Sequence, residues 1–437
     1  MSTQNPVIII PGITATGLRD EYPINAERVW TLINKKYDRV GLHPDDLRYE
    51  LDEPARVVPD EIWSLPYSEL LSELRHDLSP KRDQPTPVYP FPYDWRQPLE
   101  VTCQQFASFV DEVIGRTRLM KHYNAGNPSW ADGPKVDLVG HSMGGMIAAG
   151  YIQVYGTNAR VGKVATLGTP FGGSLEAVLK LATGEGAPGG EKTAQRDREM
   201  ARLTPAVYHL LPSFKGAVRD AQGRSKSMFR IENMQPGTWK SIAEAIRLGS
   251  PDASNRNERA KAVLSGLLRQ AGDFVKKIAD ENLLAEAGMS ADDWLCIVGV
   301  DEKTRTQARI GRRYGAARYD LDSFERHNKW GDSDRRLRVQ TGDGTVPYLG
   351  ARPDFVPVES LVVVKDDDFA TLGEIGDRVL EGASGLHGML ARMNLVQRLV
   401  ISHFKGGKFG QVWGRRAPDI EPGRPWLPPI TGLKERS

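Results

Sequence analysis

The chain has 437 residues, of which 40% are hydrophobic and 26% charged, and its formal net charge is +2. That is a globular composition, large enough for one α/β core with insertions or for two domains. The balanced charge makes no electrostatic case for a nucleic-acid partner, and two cysteines in so long a chain exclude a disulfide-stapled mini-fold.

No basic segment or cleavable apolar segment precedes Pro6, and no apolar stretch approaches the ~20 residues of a membrane span. The default expectation is a cytoplasmic protein, with leaderless export left open. Pro6-Val7-Ile8-Ile9-Ile10 is an unbroken apolar run, the pattern of a parallel strand covered on both faces. It ends in Pro11-Gly12-Ile13-Thr14-Ala15-Thr16-Gly17. Residues 20–86 mix aromatics with many charges and read as a lid-like excursion. Val88-Tyr89-Pro90 reads as a second strand. Its C-terminal loop, Tyr93-Asp94-Trp95-Arg96, reads as a buried ion pair among packed aromatics. Residues 98–121 have helical apolar spacing and carry Cys103 near their start.

Lys135–Val139 is a third strand, and Met146–Ile152 reads as a buried helix. Between them stands Gly140-His141-Ser142-Met143-Gly144. Strand, G-x-S-x-G, helix is the layout of a nucleophile elbow, in which one serine is held on a sharp turn above the end of a sheet. The glycines remove the Cβ atoms that would collide there. Lys163–Leu167 is the next strand. Residues 175–290 are helical and polar, too long for a crossover, and read as an inserted cap. Strands resume at 294–300, which contains Cys296, and at 361–365. Both cysteines are expected to be free and buried. Residues 305–340 are expected to form a small subdomain or hairpin. A helix over 388–403 closes the fold, and a Pro-rich tail follows from 410, as a surface strap or without fixed structure.

The alternation predicts an α/β-hydrolase fold: a mostly parallel, doubly wound sheet with an inserted helical cap. Residues 1–19 and 87–174 would form the first part of the core and 291–409 the second.

A serine hydroxyl needs a base, and the base needs an orienting carboxylate; in this fold they follow in the order Ser, acid, His. Of the later histidines, His387 alone follows the last core strand with small neighbours; His209, His327 and His403 do not. For the acid, pattern leaves Asp343 and Asp301 close, with Asp366, Asp367 and Asp368 also after the last strand.

Five strings in order resemble the lecithin:cholesterol acyltransferase family, which includes lysosomal phospholipase A2 and the phospholipid:diacylglycerol acyltransferases. They are Pro6–Gly12, Pro92–Arg96, Gly140–Gly145, Leu167–Ser174 and Gly342–Pro347. The resemblance covers about half of the chain, the core strands and loops, and matches the 20–86 and 175–290 segments poorly. It implies Ser142 as nucleophile, His387 as base and Asp343 as acid. It further implies an oxyanion hole from the amide of Met143 with that of Thr14 or Ile13. Vertebrate members carry a lid disulfide and a secretion signal, and neither is read here.

The expected activity is cleavage or transfer of a lipid acyl group through an acyl-enzyme, without metal or cofactor. The expected partner is a lipid or other ester, met with transient membrane-surface contact. Two alternatives stand beside it: a carboxylesterase for a soluble ester or lactone, and a silent scaffold that binds through its cap. Reaction of Ser142 with a fluorophosphonate separates the scaffold from the enzymes, and a gain of activity on vesicles separates a lipase from an esterase.

Overall fold

Val7, Ile8, Ile9 and Ile10 have no exposed face. In the computed structural model, which describes residues 4–31, 33–42, 57–124, 126, 128–184, 191–249, 254–369, 385–407 and 409–436, they form the strand β1. The other core strands are β2 (Val88–Pro90), β3 (Val136–His141), β4 (Val161–Leu167), β5 (Trp294–Val300) and β6 (Val362–Lys365). All six pair in parallel, in the order β6-β5-β4-β3-β1-β2. Alternate residues feed two separate cores. Val7 and Ile9 pack with Val139, Ile297 and Val364 on one face. Ile8 and Ile10 pack with Leu138, Val298 and Val363 on the other. A strand so placed cannot alternate with polar residues, which is why these segments read as continuous apolar runs.

Helices cover both faces, as a doubly wound sheet requires. On one lie α2 (Leu99–Arg118) and α3 (Met143–Tyr155), through Phe106, Val110, Val113, Met146 and Ile147. On the other lie α1 (Ser64–Asp77) and α8 (Asn394–Lys405). The fold is therefore the expected α/β one.

Three details differ from the sequence reading. First, α1 belongs to the 20–86 segment yet buries Tyr67, Leu70 and Leu74 against the sheet, so part of that segment is core. The rest of its described residues includes Glu27–Trp30 and Val57–Ile62, paired antiparallel with Thr16–Asp20. Second, the 175–290 stretch is not purely helical. Val218–Asp220 pairs with Ala308–Arg313, which forms a hairpin with Ala316–Asp320, so residues from the two stretches share one small sheet. Third, the last helix begins at Asn394, after a short 3-10 turn at Leu390–Arg392.

The inserted helices α4 (Leu175–Ala182), α5 (Glu191–Arg202), α6 (Pro236–Gly249) and α7 (Arg256–Ile278) surround a third apolar core that includes Leu175, Tyr208, Ile242, Leu264 and Leu268. Helix α7 is shared. Its first half enters this core, while Phe274, Val275 and Ile278 enter the core beneath α3. The C-terminal tail lies along the molecule: Trp413–Gly414 pairs with Lys434–Glu435, and Arg415 bridges to Val363 beside the edge strand β6.

Cys103 and Cys296 are free and buried, and burial pushes both thiols up, Cys296 to about 12. Among the described residues, no helix is long and apolar enough to cross a membrane.

Candidate active site

Ser142 sits between β3 and α3 with φ 53° and ψ −127°, a conformation that L-residues rarely adopt. The turn is held by the Ser142 amide, which donates to Leu167 O at 2.9 Å, and by the Gly145 amide, which donates to Ser142 O at 3.0 Å. Glycine at 144 is a steric requirement, because a Cβ there would run into the carbonyl of Ile10. The serine hydroxyl thus stands at the C-terminal ends of the parallel strands, where open α/β sheets hold their ligands.

The structure brings Ser142, His387 and Asp343 together. His387 Nε2 lies 2.9 Å from Ser142 Oγ, and His387 Nδ1 lies 2.7 Å from Asp343 Oδ2. The carboxylate fixes the tautomer: Nδ1–H donates to Asp343, leaving Nε2 free to accept from the serine. Asp343 Oδ1 accepts from the amides of Val346 (2.7 Å) and Thr345 (3.1 Å), and His387 N donates to Asp343 O at 3.0 Å. The Asp343 loop is tied in turn to residues 168–174. Ser174 Oγ donates to Thr345 O at 2.5 Å, and Gly172 N donates to Gly350 O at 2.8 Å.

The other candidates lie elsewhere. Asp301 is also buried, but its carboxylate accepts from Trp330 N at 2.6 Å and lies 3.7 Å from Lys365 Nζ. Asp368 is spent on Arg415 at 2.5 Å. Asp343 reaches His387 from beyond β5 because Gly299 on that strand has no side chain; a Cβ there would lie 2.7 Å from Asp343 Cβ. His209 meets Glu100, the exposed His327 meets Lys329, and His403 meets the carbonyl of Pro429 in the tail.

Gly12 to Ala15 form a turn closed by Ala15 N to Gly12 O, and Thr14 at its centre has φ 64°. The turn faces Ser142: a Cβ on Gly12 would lie 3.1 Å from Ser142 Cβ. Met143 opens α3, so its amide has no intrahelical acceptor. Among the described residues, the amides of Ile13 and Thr14 have no hydrogen-bond acceptor either.

Sequence reasoning missed Tyr67 and the role of His141. Gly12 N–H donates to Tyr67 Oη (2.9 Å), Tyr67 O–H donates to His141 Nδ1 (2.7 Å), and His141 Nε2–H donates to His387 O (2.9 Å). Burial, with the nearby His387 adding to it, pushes the His141 pKa down to about 3, so the ring is neutral. The expected structural role of residues 93–96 is what the structure holds: Arg96 is fully buried and grips Asp94 at 2.8 and 2.9 Å, while Tyr93 and Trp95 bond to Pro11 O and Thr16 O.

The hydroxyl opens into a cavity of about 430 Å³, within the usual range for small-molecule sites. Its walls are mainly apolar, with Ile13, Trp30, Trp63, Met200, Leu210 and Val346 among them. One wall is charged: Lys35, Glu176, Lys180 and Asp197. Among the described residues, no group of three or more His, Cys, Asp or Glu could hold a metal ion.

The model of the lecithin:cholesterol acyltransferase family matches residues 82–349. Twenty chains of solved structures match. One, from the crystal structure of the Tle4–Tli4 complex, has a TM-score of 0.54 and 16% identity over 80% of this chain and 89% of that one, a likeness of fold. No curated protein matches.

Proposed function

Because this chain belongs to the lecithin:cholesterol acyltransferase family, and so is an ester-acting hydrolase or acyltransferase, we propose that it cleaves or transfers an acyl group of a lipid ester through Ser142. The observation that carries this reading is the unbroken hydrogen-bond line Ser142–His387–Asp343 opening into a largely apolar cavity.

His387 Nε2 takes the serine proton as Oγ attacks the ester carbonyl, and Asp343 stabilises the imidazolium. The oxyanion is met by the amide of Met143, at the positive end of α3, and by that of Thr14 or Ile13. The C–O bond to the leaving alcohol breaks, and the alcohol departs with the proton from His387. Water or an acceptor hydroxyl then attacks the acyl-enzyme by the same route in reverse. The apolar wall suits an acyl chain.

Incubation of mixed phospholipid and neutral-lipid vesicles with wild type and with Ser142→Ala tests the reading. Free fatty acid with lysophospholipid, or a new acyl ester, must form with wild type alone. The charged wall favours one alternative, an esterase for a soluble ester or lactone, and identical lipid profiles from the two proteins would select it.

A further inference from the structure

Ser174 ends the loop that leaves β4, and it caps α4: its Oγ accepts from the amide of Glu176 at 3.0 Å. A serine at a helix start needs only its lone pairs for that purpose. Here the hydroxyl is buried and its own proton is used as well, donated to Thr345 O at 2.5 Å. The carbonyl it meets and the amide of Val346 belong to the same peptide group, and that amide donates to Asp343 Oδ1 at 2.7 Å. One planar peptide therefore spans the two side chains, its oxygen on the hydroxyl of Ser174 and its N–H on the carboxylate of Asp343.

A donor on the carbonyl does two things to that peptide. It pins the plane, and it polarises the amide, which strengthens the bond from Val346 N to the carboxylate. The other carboxylate oxygen, Oδ2, is the one that meets His387. Holding Oδ1 thus sets the direction of Oδ2. The amide of Ser174 is itself held, by Leu210 O at 2.8 Å, and Ser174, Glu176 and Leu210 all border the cavity. The start of the inserted cap and the carboxylate of Asp343 are therefore two ends of one short chain of bonds.

We propose that Ser174 is a positioning residue for Asp343: its hydroxyl, acting through the 345–346 peptide, aims the carboxylate at His387 and couples the first cap helix to the reacting groups. This rests on the reading of Ser142, His387 and Asp343 as a catalytic triad.

The test is the second-order rate at which a fluorophosphonate labels Ser142, a readout that does not depend on which ester the protein takes. It compares wild type, Ser174→Ala, Ser174→Gly, Asp343→Ala, Ser174→Ala combined with Asp343→Ala, and Ser142→Ala, each checked for folding by circular dichroism. One lost hydrogen bond corresponds to about tenfold. Ser174→Ala should slow labelling by about that factor. Ser174→Gly should do the same while sparing the helix start, where glycine is nearly as good a cap as serine. On the Asp343→Ala background, Ser174→Ala should cost less than about twofold, because its route to His387 is already cut. A serine with a structural role alone would slow both backgrounds equally, and that result overturns the proposal. So does labelling of Ser174→Ala and Ser174→Gly within about twofold of wild type. Wild type that is not labelled, a labelled Ser142→Ala, or Asp343→Ala labelled as fast as wild type overturns the underlying triad instead.

Discussion

The ring of His141 hydrogen-bonds the backbone carbonyl of His387 at 2.9 Å, across 246 positions of sequence. The residue before Ser142 therefore holds the main chain of His387, the proposed base. Through Tyr67 it also reaches the amide of Gly12, so the turn facing Ser142, the elbow and the His387 loop hang on one buried chain of donors. Each donor has one acceptor, and a break leaves a buried group unmet. Tyr67→Phe should lower kcat about tenfold with little change in KM, because the cost falls on geometry near the reacting atoms. Steady-state kinetics with a soluble ester checks it; an unchanged kcat would sink the positioning role.

The acid can be assigned by a pair of variants. Asp343→Asn should cost about 10⁴ in kcat, by letting His387 adopt the wrong tautomer. Asp301→Asn should keep most activity, since that carboxylate serves Trp330 and Lys365. The reverse ranking would reassign the acid.

Gly299→Ala should lower kcat by about tenfold or more while the protein stays folded, because the new methyl pushes Asp343 from His387 rather than opening the core. Circular dichroism beside kinetics separates the two effects.

This position also explains what the sequence could disclose. Strands buried on both faces must be continuously apolar, so β1, β3 and β5 were plain to read. The elbow was legible because its glycines are demanded by contacts close in sequence. Which of Asp343 and Asp301 lies against His387 was not decidable by pattern, because it depends on an absent side chain at Gly299, 44 residues away in sequence from Asp343. Helix α1 was missed because only the narrow stripe Tyr67, Leu70 and Leu74 is buried on a segment otherwise polar.

Acid sensitivity should follow from buried histidines. Burial lowers His141 to about 3 and His403 to about 4. Below about pH 6.5 the unfolded chain protonates both and the folded chain neither, so their stability is present above that pH and is lost as pH falls toward 4. Asp137, raised to about 6 by burial, acts in the opposite sense, since the folded state then holds a proton that the unfolded state has released. Two against one leaves stability rising with pH between about 4 and 6. His403→Gln should remove up to about 1.4 kcal/mol per pH unit from that slope, measured by urea unfolding from pH 4 to 7. An unaltered slope would rule out His403 as its source.

The tail is anchored by charge. Arg415 and Asp368 pair at 2.5 Å with both side chains nearly fully buried. Arg415→Leu should destabilise by up to about 3–5 kcal/mol, because the buried Asp368 loses its close partner and keeps only Arg436 at 3.6 Å and the amide of Lys365. Adding Asp368→Leu should return much of the loss. A double variant no better than the single would show that the tail docks by packing alone.

Helix α7 has one end in each of two cores, and that constrains how the molecule unfolds and how it can be engineered. Neither core keeps its wall if the helix is withdrawn, so melting should be a single cooperative transition. For the same reason, the 175–290 insertion cannot be exchanged between relatives as a cassette with its own ends. Any graft must carry Phe274, Val275 and Ile278 with it, because they are the recipient's own interior.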